Sequence, residues 1–203
     1  MLVTGIGIGT GQGLYAIDVK TGETKKITER EGADSSPHAN LRDPAWSPDG
    51  KAVYFWRVSK GVIKRDLTTG QETELYRGPS GSEGLDVSPD GRWLAFFRPV
   101  DSLTVIPTAG GEPREVCRLS ETESNESPWN FVRWTLDGGH LLFRKRGKEL
   151  WRVQVDTGEQ QKIDGPAMDR ILNVALHPNG RRIAYTAGKR SSELWVMENF
   201  LPE

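Results

Sequence analysis

Four copies of one short pattern decide what this chain can fold into. They read Trp46-Ser47-Pro48-Asp49-Gly50, Val87-Ser88-Pro89-Asp90-Gly91, Trp134-Thr135-Leu136-Asp137-Gly138 and Leu176-His177-Pro178-Asn179-Gly180. Each precedes a short apolar run, such as Ala52-Val53-Tyr54-Phe55 or Trp93-Leu94-Ala95-Phe96-Phe97. The closing glycines lie 41, 47 and 42 residues apart. A repeat of that length means one supersecondary unit, copied and stacked so that neighbours bury a shared core.

A second landmark fixes the unit. Gly70, Gly111 and Gly158 each follow the Asp-Gly by 20 residues, in Thr69-Gly70, Gly110-Gly111 and Thr157-Gly158. Asp-Gly and Thr-Gly supply positive φ at low cost and sit between β-rich runs, so each reads as a hairpin turn. The first complete unit then has strands near 44–47, 52–57, 62–67 and 72–76. Four antiparallel strands in 40–45 residues make a propeller blade. Leu14, Val62, Leu103 and Leu150 all stand 8 residues before the second landmark, which confirms the register. Along Leu150-Trp151-Arg152-Val153-Gln154-Val155, residues alternate between two faces, and stacked blades let both carry apolar groups. No segment shows sustained helical periodicity, and the polar, Pro-containing stretch 119–130 reads as a loop.

The fold class is therefore all-β: a β-propeller of four-stranded antiparallel blades, about five in number, with the first and last incomplete. The blades cover residues 1–28 (partial), 29–76, 77–118, 119–163 and 164–203 (partial) of a single domain. Gly22 is a Thr-Gly landmark whose partner would fall near residue 2, so the first blade lacks its innermost strand. The last has a strand at 193–198 and lacks its outermost one. Both partial blades hold the middle strands, so they do not merge into one. The expectation is a piece of a longer propeller; the other arrangement is a five-bladed ring with two ragged blades.

Composition excludes several classes. The 203 residues carry 27% charged side chains and a net charge of −1, without the basic stripe of a nucleic-acid binder. One cysteine, Cys117, allows no internal disulfide framework and reads as a small apolar filler. No run approaches the ~20 apolar residues of a membrane span. The segment Gly5-Ile6-Gly7-Ile8-Gly9-Thr10-Gly11 imitates a dinucleotide-binding loop, but a strand and hairpin follow it instead of a helix, and its glycines alternate. It reads as a glycine-dotted strand and loop, and no cofactor is expected. No G-x-S-x-G elbow occurs, and His38, His140 and His177 lack metal-ligand spacing. His177 stands in the serine place of the motif and is expected to cap the turn. No catalytic or metal-binding residue is assigned.

The copies Trp46-Ser47-Pro48-Asp49-Gly50-Lys51-Ala52-Val53-Tyr54-Phe55 and Val87-Ser88-Pro89-Asp90-Gly91-Arg92-Trp93-Leu94-Ala95-Phe96 resemble the TolB-like, WD-like propeller repeat. The third copy departs at Leu136 and the fourth at His177 and Asn179. The resemblance spans almost the whole chain. It implies a non-enzymatic, rigid platform for protein or peptide interaction or for ligand sensing, as a module of a larger bacterial protein such as a regulator, kinase or TolB-like scaffold. It carries no functional residue onto this sequence. The loops that lead into the inner strands and that join second to third strands meet on one face. Candidate partner-binding residues there are His38, Asn40, Arg42, Glu83, Trp129, Asn130, Asp169 and Arg170. Trp46 and Trp134 are expected in the interblade core. The alternative reading is the accessory, substrate-gating propeller of a prolyl-oligopeptidase-like serine peptidase. A lyase or glycosidase would need acids or histidines at the starts of the inner strands, and Asp43, Gly84, Phe131 and Asn173 do not form such a set. Incomplete blades also leave strand edges that favour self-association. Bacterial cytoplasm and periplasm both remain open.

Overall fold

The computed structural model describes residues 2–7, 11–29, 41–57, 60–78, 83–98, 102–119, 131–164 and 170–188. They form only strands, arranged as five antiparallel sheets in which each strand pairs with its sequence neighbour. Blade one has three: β1 (Leu2–Gly7), β2 (Gly11–Ile17) and β3 (Thr24–Glu29). Blade two has β4 (Leu41–Trp46), β5 (Ala52–Arg57), β6 (Gly61–Asp66) and β7 (Glu72–Tyr76). Blade three has β8 (Glu83–Val87), β9 (Trp93–Arg98), β10 (Ser102–Pro107) and β11 (Arg114–Arg118). Blade four has β12 (Val132–Trp134), β13 (His140–Lys145), β14 (Glu149–Gln154) and β15 (Gln160–Lys162). Blade five shows β16 (Ile171–Leu176) and β17 (Ile183–Ala187); the strand expected at 193–198 lies outside the described residues.

In blades two to five the first strand is the inner one, and those of blades two to four pack on one another in series, β4 on β8 and β8 on β12, while β1 of blade one packs on β4. The core therefore lies between blades. Leu94 and Phe96 of β9 face blade two, where they meet Tyr54, Trp56 and Val62. Ala95 and Phe97 of the same strand face blade four, where they meet Val132, Leu141 and Phe143. An apolar residue on both faces of a strand is the mark of a sheet covered on both sides. Phe55, Phe96 and Phe143 occupy the same repeat position and are fully buried. Each such ring contributes about 2–3 kcal/mol by leaving water.

The repeated motif builds the turn between first and second strands by one set of bonds. The Ser47 hydroxyl donates to the Asp49 carboxylate at 2.6 Å and accepts from the Ala52 N–H at 2.8 Å. Asp49 accepts from the Lys51 N–H at 3.0 Å, and Gly50 N–H closes the turn on the Ser47 carbonyl at 2.9 Å. Ser88 with Asp90, and Thr135 with Asp137, repeat this arrangement. In the fourth copy His177 Nδ1 accepts from the Asn179 N–H at 3.2 Å, and Asn179 Oδ1 from the Arg181 N–H at 3.0 Å. The hydroxyl bonds hold the three carboxyls below their ordinary range, with the backbone N–H groups adding to the effect.

The motif also reaches across blades. Pro48 Cδ lies 3.4 Å from where a Cβ on Gly91 would stand, Pro89 Cδ 3.9 Å from that of Gly138, and Leu136 Cδ1 3.5 Å from that of Gly180. Gly91 has φ 73°, so it is held to glycine both by its backbone and by the neighbouring proline. Leu136 departs from proline in sequence yet makes the same contact.

One expectation fails. Trp134 is 5% exposed, in the core between blades three and four, but Trp46 is 38% exposed. The difference follows from the sheet in front of each. Trp134 lies behind the inner strand β8, whereas the sheet in front of Trp46 begins at β1 and has no inner strand among the described residues.

Candidate functional site

The inner strands carry a chain of side-chain bonds from blade to blade. β4 has a bulge between Arg42 and Ala45, and at that bulge Asp43 adopts φ 47°. A left-handed conformation is tolerated by aspartate better than by most residues, and a bulge re-aims the side chain. Asp43 Oδ2 then accepts the N–H of Gly84, at the bulge of β8, at 3.0 Å. One blade further on, Asp86 Oδ2 accepts the Trp134 N–H at 2.8 Å, and the Asp86 carbonyl accepts the indole N–H of Trp134 at 3.3 Å. From blade four, Arg133 donates to Asn173 Oδ1 of blade five at 3.4 Å and to its own neighbour's carbonyl, Val132 O, at 2.8 Å.

Desolvation raises both carboxyls above the ordinary aspartate range. For Asp43 the Gly84 N–H is the next influence and opposes the rise, followed by the positive charge of Arg133. For Asp86 the Trp134 N–H opposes it, again followed by Arg133. The Arg133 charge thus acts on both acids, and all three residues belong to inner strands. Asp43 keeps solvent contact.

Further out, the blades are joined by buried cations. Arg57, 2% exposed, bonds Glu72 at 2.6 Å, and Glu72 also accepts from the Thr28 hydroxyl of blade one at 2.8 Å and from Arg65 at 3.0 Å. Burial works against ionisation of Glu72, but Arg57, Thr28 and Arg65 outweigh it and keep the carboxyl below its usual range. The buried Arg144 donates from Nη1 to the carbonyl of Ile171 in blade five. Lys145 Nζ lies 3.9 Å from the centre of the Trp151 ring.

At the end of the molecule that carries the motif turns, blades three and four enclose a groove of about 420 Å³ lined by Trp93, Arg114, Trp134, Leu136, Asp137 and Asp156. Arg114 spans it, donating to the Val155 carbonyl at 2.8 Å with its guanidinium 6.0 Å from the Trp93 ring centre. The matching places between blades two and three hold Ala52, Thr73 and Val87, so the repeat itself does not demand this lining.

Of the eight candidate residues, the structure describes the side chains of Arg42 and Arg170. Arg42 is half-buried at the start of β4, opposite Trp56. Arg170 is half-buried just before β16, and its carbonyl accepts the Gly188 N–H at 3.1 Å. Both stand at the same end of the inner strands. Glu83 begins β8 with its backbone alone described, and His38, Asn40, Trp129, Asn130 and Asp169 lie outside the described residues. Asp43 and Gly84, read from sequence as residues at the starts of neighbouring inner strands, are bonded to each other. Asp86 and Arg133 were missed. Their signal was a charged residue inside an apolar run, in Leu85-Asp86-Val87 and Val132-Arg133-Trp134. Among the described residues, no group of three or more His, Cys, Asp or Glu side chains is placed to hold a metal ion. No helix of the described residues is long and apolar enough to cross a membrane.

Solved structures share this stacking of four-stranded sheets. TolB from Acinetobacter baumannii superimposes with a TM-score of 0.72 over 94% of this chain, at 18% identity. This chain is a TolB-like β-propeller in fold. A chain of a nidogen–laminin complex matches over 92% of this chain with a TM-score of 0.69 and 14% identity, covering 69% of that chain. The Cps50 (Swd1) β-propeller domain of Myceliophteria thermophila matches over 86% with a TM-score of 0.58 and 19% identity, covering 57% of that chain. An uncharacterised protein of Agrobacterium fabrum is 41% identical over 54 residues, which are 25% of this chain and 18% of that protein. No protein-family profile matches the chain. The chain spans 47% of the length of the Acinetobacter TolB, so it corresponds to about half of that protein.

Proposed function

We propose that this propeller is a non-enzymatic module that presents a rigid protein- or peptide-binding face. One observation carries the reading. Three charged groups of the inner strands join one blade to the next: Asp43 to Gly84, Asp86 to Trp134, Arg133 to Asn173. Such bonds stiffen the frame and hold the loops at its end in fixed relative positions, which lowers the cost of ordering a contact surface on binding. The partner face is the end marked by Arg42 and Arg170, two half-buried cations on separate blades. Arginine is enriched at binding hot spots. The nidogen–laminin complex shows this fold joined to a protein partner, which supports the same use here.

The test is a peptide array probed with the chain and with three variants. Peptides bound by the wild type should be lost by Arg42→Glu and Arg170→Glu and kept by Asp156→Arg at the opposite end. Binding indifferent to Arg42 and Arg170, or chemical conversion of the bound peptides, would overturn the reading.

A further inference from the structure

Blade two displays the receiving half of a joint whose other half is absent among the described residues. The complete joint between blades three and four shows what is missing. There Asp86 takes the backbone N–H of Trp134 on its carboxylate and the indole N–H on its carbonyl, and Pro89 lies over Gly138. At blade two the same features stand open. Trp46 is 38% exposed, no described acceptor meets its indole or backbone N–H, and nothing lies within 4 Å of the Cβ position of Gly50. The backbone N–H of Trp46 points away from β5, because Ser47 N–H and not Trp46 N–H bonds across to Ala52 O. Beside this surface, β1 pairs only with β2, so that among the described residues its other edge has no strand beside it.

We infer that the edge of β1, with Trp46 and Gly50 behind it, is a strand-binding slot for an extended partner segment of the pattern Asp-Xaa-Ser-Pro-Asp-Gly. The occupant follows from the complete joint. The backbone of the segment adds to β1 as a fourth strand, the mode in which an extended peptide joins a sheet edge. Its first carboxylate accepts the Trp46 N–H, the carbonyl of the same residue accepts the indole N–H, and its proline, three residues on, covers Gly50. The slot lies on the inner side of blade one and is separate from the face marked by Arg42 and Arg170. It is a second binding surface, and its test does not depend on the first.

The probe is the synthetic peptide Leu-Asp-Val-Ser-Pro-Asp-Gly-Arg, the sequence of residues 85–92, titrated into the 203-residue chain. Tryptophan emission should shift to the blue as Trp46 leaves water, and Trp46→Phe should remove that shift with an unchanged thermal midpoint. Amide exchange across β1 should slow by about tenfold or more at alternate residues, as strand pairing requires. Replacing the first aspartate of the peptide by alanine removes a charged acceptor and should weaken binding about tenfold. A scrambled peptide that binds equally well, a blue shift that survives Trp46→Phe, or unchanged exchange in β1 would overturn the assignment. Self-association that protects β1 without peptide and excludes it would overturn the occupant in favour of a second copy.

Discussion

The joint between blades three and four and the joint between blades one and two use the same turn motif and differ in what stands before it. The first is closed from the axis outward: Asp86 bonds Trp134, Pro89 covers Gly138, and Arg114 reaches Val155. Among the described residues the second shows no such inner part and is held further out, by the apolar set Leu14, Ile27, Val53 and Phe55 and by the ionic cluster of Thr28, Arg57 and Glu72. The motif therefore does two separable jobs. Ser, Asp and Gly build a turn within one blade, which is equally well formed at Trp46 and at Trp134. The tryptophan and the third residue join blades, and that job needs a neighbouring inner strand.

The largest test of this difference is truncation of the two tryptophans. Trp134→Ala should cost about 3–5 kcal/mol, the usual range for a buried aromatic. Trp46→Ala should cost about 1 kcal/mol or less, because the ring already meets water. Urea unfolding of both variants compares them, and equal losses would remove the distinction. Next in size is the ionic cluster. Glu72→Ala leaves Arg57 buried without its carboxylate and should cost about 3 kcal/mol. Glu74→Ala removes only the exposed pair with Arg77 and should cost about 0.5 kcal/mol or less.

The two kinds of aspartate should respond to pH with opposite sign. The folded state raises the Asp86 carboxyl above its unfolded value of about 3.9, so the wild type loses stability as pH rises through that window. Asp86→Asn keeps an acceptor for Trp134 and should gain on the wild type as pH rises above about 4 through the folded-state value. Asp49 is lowered by the Ser47 hydroxyl, so its contribution is present above about pH 4 and is lost as pH falls through the folded-state value. Asp49→Asn should therefore approach the wild type in acid. Thermal midpoints across a pH series read both, and parallel curves would contradict the assignment. The smallest contrast lies between glycines. Gly50 and Gly91 have φ near 70°, and alanine at either should cost about 1 kcal/mol. Gly91→Ala also presses on Pro48, which should add about 0.5 kcal/mol that Gly50→Ala escapes.

Turns and strands were legible in the sequence because each is encoded locally. A Ser-Pro-Asp-Gly followed by Ala52-Val53-Tyr54-Phe55 specifies its own hairpin, and β5 and β7 fall at the residues expected of them. The three described strands of blade one were also legible, since Gly22 sets the register that β1 to β3 follow. The bonds between blades were not. Asp43 and Gly84 are 41 residues apart and Asp86 and Trp134 are 48 apart, and no local pattern marks which residue meets which. Trp46 was misplaced for the same reason: its motif is complete, but its burial depends on a strand of another blade. Of the candidate face, Arg42 and Arg170 fall at one end of the inner strands, and their assignment to a binding site rests on the array experiment.

Amide exchange at Trp46 and Trp134, resolved by NMR on the unmodified chain, tests the central claim most directly. The two amides have the same place in the same motif, and only the strand before them differs. The Trp134 amide, held by Asp86, should be protected to nearly the stability of the blade, while the Trp46 amide exchanges orders of magnitude faster, as an open site does. Equal protection at both would mean that Trp46 already has its acceptor, and the slot beside β1 would not exist.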